Sequence, residues 1–356
     1  MLNKSGVNTF MVAGTYIGTI VGAGFATGQE ILQFFTIFNL KGLFGLIITT
    51  IMFIVFGYII MDLGKKLKAN SHVEIIKYIG GKKLGTITDL IITFFLFGSF
   101  TAMTAGTGAL VFQQFKLPTY FGNILMVVLT ALTVLTGIKG VINTISMVVP
   151  FLLVAVVTVS IYSIITSPSI FNSTIHVNES SLITNWLMAA VLYVSYNIIT
   201  SIAELGPLGY ESCDKKAIII GAILGGLGLG LGAVMINLAL SSNISEIKNL
   251  EVPMIYIAGK MSGQVQAIYA VVLIAEIYTT AVGSLYGFVS RFSNIKKDKI
   301  KSKLIIAVTS IAALLASQFG FSNLVKYLYP FVGYLGVVLL LSLIYSKLKN
   351  KILIER

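Results

Sequence analysis

Ten apolar stretches alternate with short polar links along the chain, at about 8–37, 41–63, 84–115, 119–137, 141–166, 183–210, 216–241, 263–290, 303–318 and 321–346. A helix takes about 20 mostly apolar residues to cross the hydrocarbon core of a bilayer, so the pattern predicts an all-α integral membrane protein with ten transmembrane helices. The spans differ in ways that repeat. Spans 1 and 6 are both near thirty residues and both interrupted by glycine and polar residues. Spans 3 and 8 are both long, and the links between spans 2 and 3 and between spans 7 and 8 each have about twenty residues, room for a short surface helix. Five helices is an odd number, so a second set of five enters the membrane from the opposite face. The lengths therefore predict a 5+5 inverted repeat in which helices 1 and 6 are discontinuous.

Composition agrees with a membrane class. A soluble domain carries roughly a quarter of its residues as charged; here 11% are charged, 56% are hydrophobic and mean hydropathy is +0.93. The net charge of +12 does not mark a nucleic-acid partner, because the lysines cluster in the links rather than along one face. With the N-terminus in the cytoplasm, 20 of the 25 Lys and Arg fall on the inner side and five outside, at Lys41, Lys116, Lys248, Lys260 and Lys326. The opposite orientation inverts that ratio, so the positive-inside rule selects this one. Residues 1–166 are then the first five-helix repeat, 167–182 an extracellular loop, and 183–356 the second repeat with a cytoplasmic tail. The expected location is the cell membrane, multi-pass, with both termini cytoplasmic.

Other classes lose ground on residue types. A single cysteine, Cys213, excludes a disulfide framework and a multi-cysteine metal site. The two histidines, His72 and His176, are expected in loops and are assigned no role. No nucleophile–base pair, metal cluster or phosphate-binding loop is present, so neither an enzyme nor a cofactor is expected, a sodium ion excepted. No ATP-binding motif is present either, which leaves an ion gradient as the energy source. The N-terminus MLNKSGVNTF runs into the first span with no small-residue cleavage pattern, so no cleaved signal is expected.

The interruption of span 1 carries the chemistry. A straight helix of thirty residues is about 45 Å long against a core of about 30 Å. Within "IGTIVGAGFATGQEILQFF" (17–35), Gly22 and Gly24 favour a break, flanked by Thr19, Thr27, Gln29 and Glu30. Span 6 repeats the pattern in "YVSYNIITSIAELGPLG" (193–209), with Ser195, Asn197, Thr200, Ser201 and Glu204 ahead of Gly206-Pro207. By contrast, "GAILGGLGLGLG" (221–232) lacks polar flanks and reads as a helix-packing face. Unwinding is expected near 21–25 and 195–201. Unwound backbone at membrane depth survives only where it is buried or lines a cavity, and paired interrupted spans point to a transporter's binding site. Freed amides attract a carboxylate, and freed carbonyls an ammonium or a metal cation.

The motifs carry a family resemblance. "VGAGFATG" (21–28) resembles the glycine signature in the first helix of amino acid–polyamine–organocation (APC) superfamily transporters. "SYNIITSIAE" (195–204) is similar to their sixth-helix stretch and "SLYGFVSR" (284–291) to the end of their eighth. The form with Gly-Gln-Glu after the glycines resembles the YkvI-like bacterial membrane proteins. The resemblance implies a LeuT-type fold and alternating access. It implies that amides of Gly22, Ala23, Gly24 and Phe25 bind a substrate carboxylate, and that carbonyls of Ser195, Tyr196 and Asn197 bind its amine. It further implies a sodium ion between carbonyls of Gly18 and Val21, the hydroxyls of Thr279 and Thr280, and a carbonyl near Glu276. Span 5 contains no lysine of the kind proton-coupled relatives carry, which favours sodium.

Three carboxylates fall within spans, and an ionisable group there is a functional hypothesis by default. Glu276, inside "VVLIAEIYTTAVGSLYGF", is expected to serve ion or proton coupling; Glu204 and Glu30 are candidates for the same work. Glu30 lies six residues past Gly24, about 9 Å further along a half-helix, which also fits a hydrated outer vestibule. Glu204 fits an inner vestibule or a local cap. Asp62 and Asp89, amid lysines at inner helix ends, are expected in interfacial ion pairs, Trp186 as an interfacial anchor, and Pro150 and Pro330 at kinks shared by the halves. The function expected is secondary import of a small amino acid or related amine, coupled to sodium or protons. The alternatives are a transporter-like receptor or sensor, or a transporter of an organic cation or osmolyte lacking a free carboxylate.

Overall fold

The computed structural model describes residues 7–69, 71–136, 138–166, 181–293 and 298–354. The predicted loop 167–182, with His176, lies almost wholly outside them, as do the surroundings of Pro150. Span 1 is three helices, α1 (Thr9–Ile20), α2 (Ala23–Thr27) and α3 (Gln29–Phe34), followed by a 3₁₀ turn at Thr36–Phe38. Four long helices follow: α4 (Leu40–Leu67), α5 (His72–Phe115), α6 (Thr119–Thr136) and α7 (Ile138–Thr166). The second half holds α8 (Trp186–Glu211), α9 (Lys215–Ser241), the short α10 (Ile244–Ile247) and α11 (Pro253–Met261), then α12 (Gly263–Phe292), α13 (Lys299–Ala316) and α14 (Phe321–Ile354). Among the described residues, eight helices are long and apolar enough to cross a membrane: α4, α5, α6, α8, α9, α12, α13 with its 3₁₀ extension, and α14. Two apolar helices are shorter, Thr9–Ile20 and Phe151–Thr166.

Large apolar side chains face outward, among them Leu132, Leu231, Val271 and Leu341, all more than half exposed. Contiguous faces of this kind suit lipid. Inside, α8 packs on α4 and α14, α9 on α1 and α4, and α12 and α6 on α5. Glycine makes the closest of these contacts possible. A Cβ on Gly225 would lie 2.5 Å from the Tyr16 ring, and one on Gly226 would lie 2.5 Å from Ile54 Cγ1, so the glycine-rich face of α9 seats α1 and α4 as the sequence predicts. Tyr16 is fully buried and donates its hydroxyl to Phe53 O at 2.6 Å, fixing α1 to α4.

The lysine-rich end of the bundle is pinned by ion pairs. Asp62 meets Lys66 at 3.0 Å and Lys347 at 2.8 Å, while Asp89 meets Arg291 at 3.0 Å and His72 at 2.8 Å. His72 is the first residue of α5 and a hydrogen-bond partner of Asp89, and not a loop residue. The helix expected in the link between spans 2 and 3 is there, fused to span 3 across a kink at Gly81 (φ 66°). The link between spans 7 and 8 holds α10 and α11. Span 8, as α12, has 30 residues, and α14 is longer still at 34. Trp186 opens α8 with its ring 6.4 Å from Phe44, and Pro330 sits inside an uninterrupted α14.

Candidate functional site

Span 1 breaks where expected. Val21 closes the last turn of α1 by donating to Ile17 O at 2.8 Å, then turns extended (φ −70°, ψ 108°). Gly22 is extended as well (φ −125°, ψ −173°), a backbone that any residue adopts. The helix resumes at Ala23, with Ala26 N–H on Gly22 O at 3.0 Å. The last carbonyls of α1 and the first amides of α2 are thereby freed of intrahelical partners.

A second break, absent from the sequence reading, sits at Gly28. Its left-handed backbone (φ 79°) ends α2 after five residues and starts α3. Glycine is required there twice over, because a Cβ would lie 2.8 Å from Met254 Cγ. The reversal folds Glu30 back toward the first break. Its carboxyl lies directly against Gly24, where a Cβ would overlap it, and accepts a short hydrogen bond from Tyr196 Oη. Glu30 is only 6% exposed, so the expectation of a hydrated outer-vestibule residue is corrected. A straight half-helix would have carried it outward; the turn at Gly28 does not.

Span 6 does not break. α8 is continuous from Trp186 to Glu211, through Pro207. Its polar side chains bond back to their own helix: Asn197 Nδ2 to Tyr193 O at 2.9 Å, Thr200 Oγ1 to Tyr196 O at 3.0 Å and to Asn197 O at 2.9 Å. The expected unwinding at 195–201 is thus overturned. The carbonyls of Ser195, Tyr196 and Asn197 belong to the helix, and what Tyr196 and Asn197 offer the interior is side chains.

A cavity of about 300 Å³ faces the break. Of the residues singled out in the sequence, Gly18, Val21, Gly22, Ala23, Gly24, Glu30, Tyr196, Asn197, Glu204, Glu276, Thr279 and Thr280 all line it. Phe25 and Ser195 do not. Phe25 is buried with its ring 3.2 Å from where a Cβ on Gly232 of α9 would stand, and Ser195 donates to Gly333 O on α14 at 2.6 Å. Glu204 accepts from Thr19 Oγ1 at 2.9 Å, tying α8 to α1 below the break. Thr279 donates to Glu276 O at 3.0 Å, while Thr280 Oγ1 points across to Gly22, 4.0 Å from where its Cβ would be. Glu276 is 3% exposed, and its Oε2 has no hydrogen-bond partner among the described residues.

The wall from α5 and α14 was not foreseen. Phe95, Ser99 and Met103 of α5 and Tyr329 of α14 line the cavity, and Ser284 Oγ bonds Ser99 Oγ at 2.9 Å. The one sequence signal for Tyr329 was its neighbour Pro330. Rings close the cavity at the level of Glu30: Tyr196 stands 5.1 Å from Tyr329 and 5.8 Å from Phe34, centroid to centroid, with Tyr193 and Phe35 behind. Among the described residues no group of three or more His, Cys, Asp or Glu is placed to hold a metal ion.

Solved structures with this architecture are secondary transporters of the LeuT-type fold. MhsT in complex with L-phenylalanine matches at TM-score 0.59 and 17% identity, covering 90% of this chain and 85% of that one. Mhp1 in its inward-facing conformation matches at 0.56 and 14%, covering 93% and 73%. A manganese transporter of Eremococcus coleocola matches at 0.54 and 15%, covering 88% and 74%. Such identities establish a shared fold and nothing finer. In sequence, the uncharacterized membrane protein YkvI of Bacillus subtilis is 31% identical over 352 residues, 97% of this chain and 98% of that one. The chain belongs to the family of that protein. YyaD of the same organism, also uncharacterized, is 28% identical over 351 residues, 99% of each. No protein-family model matches the chain.

Proposed function

We propose that this protein is a secondary active transporter that imports a small amine-bearing solute, an amino acid or a related amine, by alternating access in the cell membrane. In this reading α1–α3 together make one crossing and α7 another, giving ten crossings in two inverted halves with both termini cytoplasmic. The observation that carries it is convergence: the interrupted backbone at Val21–Gly22 opens on a cavity that α8, α12, α5 and α14 complete. A membrane helix interrupts its hydrogen bonding at depth only where protein or a cavity replaces lipid. The neighbours' cargoes, L-phenylalanine in one and manganese in another, are too varied to set the cargo here.

Coupling to sodium is supported by Gly18 and Val21 at the carbonyl end of α1 lining the same cavity as Thr279 and Thr280, with the Thr280 hydroxyl beside Gly22 and Thr279 bonded to the Glu276 carbonyl. Sodium takes hard oxygen ligands of this kind. Proton coupling has its own support in Glu276 and Glu204, and the two are separated by experiment. Protein reconstituted into vesicles is given an imposed sodium gradient or an imposed proton gradient. Accumulation of solute above its external concentration under one of them, abolished by the matching ionophore, is the expected result. Saturable binding without accumulation under either would make the protein a receptor.

A further inference from the structure

The geometry points to an organic ammonium without a free carboxylate as the solute this cavity accepts, its cationic nitrogen held between Glu276, Glu30 and the rings of Tyr196, Phe95 and Tyr329. This deepens the transporter reading and rests on it only in taking the cavity as the substrate site. The first observation is Glu276, nine-tenths buried and more, lining the cavity with an oxygen that no group among the described residues satisfies. A buried carboxylate without a partner is costly, so the missing partner is expected from what binds.

The second observation is Glu30. A substrate carboxylate, on the family resemblance, would sit against the backbone of Gly22–Phe25. Here the protein's own carboxylate occupies that place, packed on Gly24 and fixed by Tyr196. Among the described residues no lysine, arginine or histidine lines the cavity to offset a further negative charge. A zwitterion would bring its carboxylate among two or three others; an amine alone would not.

The third observation is aromatic. Tyr196 and Tyr329 stand 5.1 Å apart, Phe95 and Tyr329 5.6 Å, and Phe95 and Tyr196 6.1 Å, so three rings share one wall of the cavity. Ring faces attract alkylated ammonium groups through their quadrupoles. A small metal ion must first give up a tightly held hydration shell, which rings do not replace, and the described carboxylates do not gather into a metal cluster.

Matched pairs test this on the purified full-length protein, by calorimetric titration and thermal shift: phenethylamine against L-phenylalanine, isobutylamine against L-valine, cadaverine against L-lysine, and choline against glycine betaine. The expected result is at least one amine or choline binding tenfold or more tightly than its carboxylate-bearing partner, with Glu276→Gln and Glu30→Gln each weakening it tenfold or more. If a variant does not purify folded, the wild-type preference decides. Equal or tighter binding by the carboxylate member of every pair overturns the inference, as does absence of binding by all four cations. Amine binding without accumulation in vesicles would overturn transport and leave the inference standing. Accumulated amino acids with no amine bound would do the reverse.

Discussion

Residues 17–35 and 193–209 have a similar share of small and hydroxyl-bearing residues, yet the first is interrupted twice and the second lies within one unbroken helix. The difference lies in what each polar residue can do locally. Asn197 and Thr200 carry side chains that return hydrogen bonds to carbonyls four residues back, so polarity is absorbed without unwinding. The glycines of span 1 have nothing to return. They leave clearance instead: Gly24 for the Glu30 carboxyl, Gly28 for a left-handed turn under Met254. Polarity on a side chain and polarity exposed by missing side chains look alike in a hydropathy window but fold in opposite ways.

The sharpest test sets glycine against glycine. Gly22 and Gly24 flank the start of α2, but a Cβ on Gly22 has its nearest neighbour 4.0 Å away, whereas one on Gly24 overlaps the Glu30 carboxyl. Gly24→Ala should therefore displace Glu30 and cut uptake by about 100-fold, the scale of an ångström's misplacement at a reacting or binding centre. Gly22→Ala should stay within about threefold of wild type, since its extended backbone suits alanine as well. Equal losses from both would mean that exposed backbone at Gly22, and not the seating of Glu30, is what span 1 provides. Membrane insertion and thermal stability, measured alongside uptake, separate either effect from misfolding.

Inside α8 the comparison can be narrowed to adjacent residues. Tyr196 faces the cavity and donates to Glu30; Ser195 faces away and donates to Gly333 O. Removing a hydrogen bond to a buried charged group costs about 1.5–3 kcal/mol, so Tyr196→Phe should weaken solute binding about tenfold or more. Ser195→Ala should leave affinity unchanged and lower stability by about 1 kcal/mol, the net worth of a neutral hydrogen bond. Isothermal titration and denaturation scans on the two variants read these separately. An affinity loss at Ser195 would restore the sixth-span stretch 195–197 as a binding element in its own right.

How much of this was legible in the chain follows from the same contrast. That the chain is a series of long apolar helices could be read because burial in lipid imposes one simple rule on every helix. The break at 21–22 was legible because glycine and polar flanks coincide there. The turn at Gly28 was not, because it depends on α11, whose Met254 is more than two hundred residues away, and so the place of Glu30 was misread. The continuity of α8 was lost for a local reason: back-bonding of Asn197 and Thr200 requires the helix that hydropathy had ruled out. Phe95 was invisible and Tyr329 had only Pro330 beside it, since aromatic residues on long apolar helices carry no mark of which face meets a cavity.

The smallest expected effect concerns the ion, and it too turns on two neighbours. Thr279 and Thr280 were paired in the sequence reading as joint sodium ligands. In the structure their hydroxyls differ: Thr279 is committed to Glu276 O at 3.0 Å, while Thr280 faces the break beside Gly22. A hydroxyl bonded to its own helix can still accept a cation on its free lone pairs, but it is the less available of the two. Thr280→Ala should then raise the sodium concentration needed for half-maximal solute binding by about fivefold, the lower end of ordinary coupling energies. Thr279→Ala should raise it less. Binding at saturating sodium should survive in both, because ion and solute affinities are linked through one free energy and excess of either offsets a loss in the other. The measurement is solute titration across a sodium series at fixed ionic strength. Should wild-type binding ignore sodium altogether, the Thr279–Thr280 assignment fails. Glu276→Gln then decides whether protons replace it: retained solute binding with loss of pH-driven accumulation would assign the coupling to Glu276 itself.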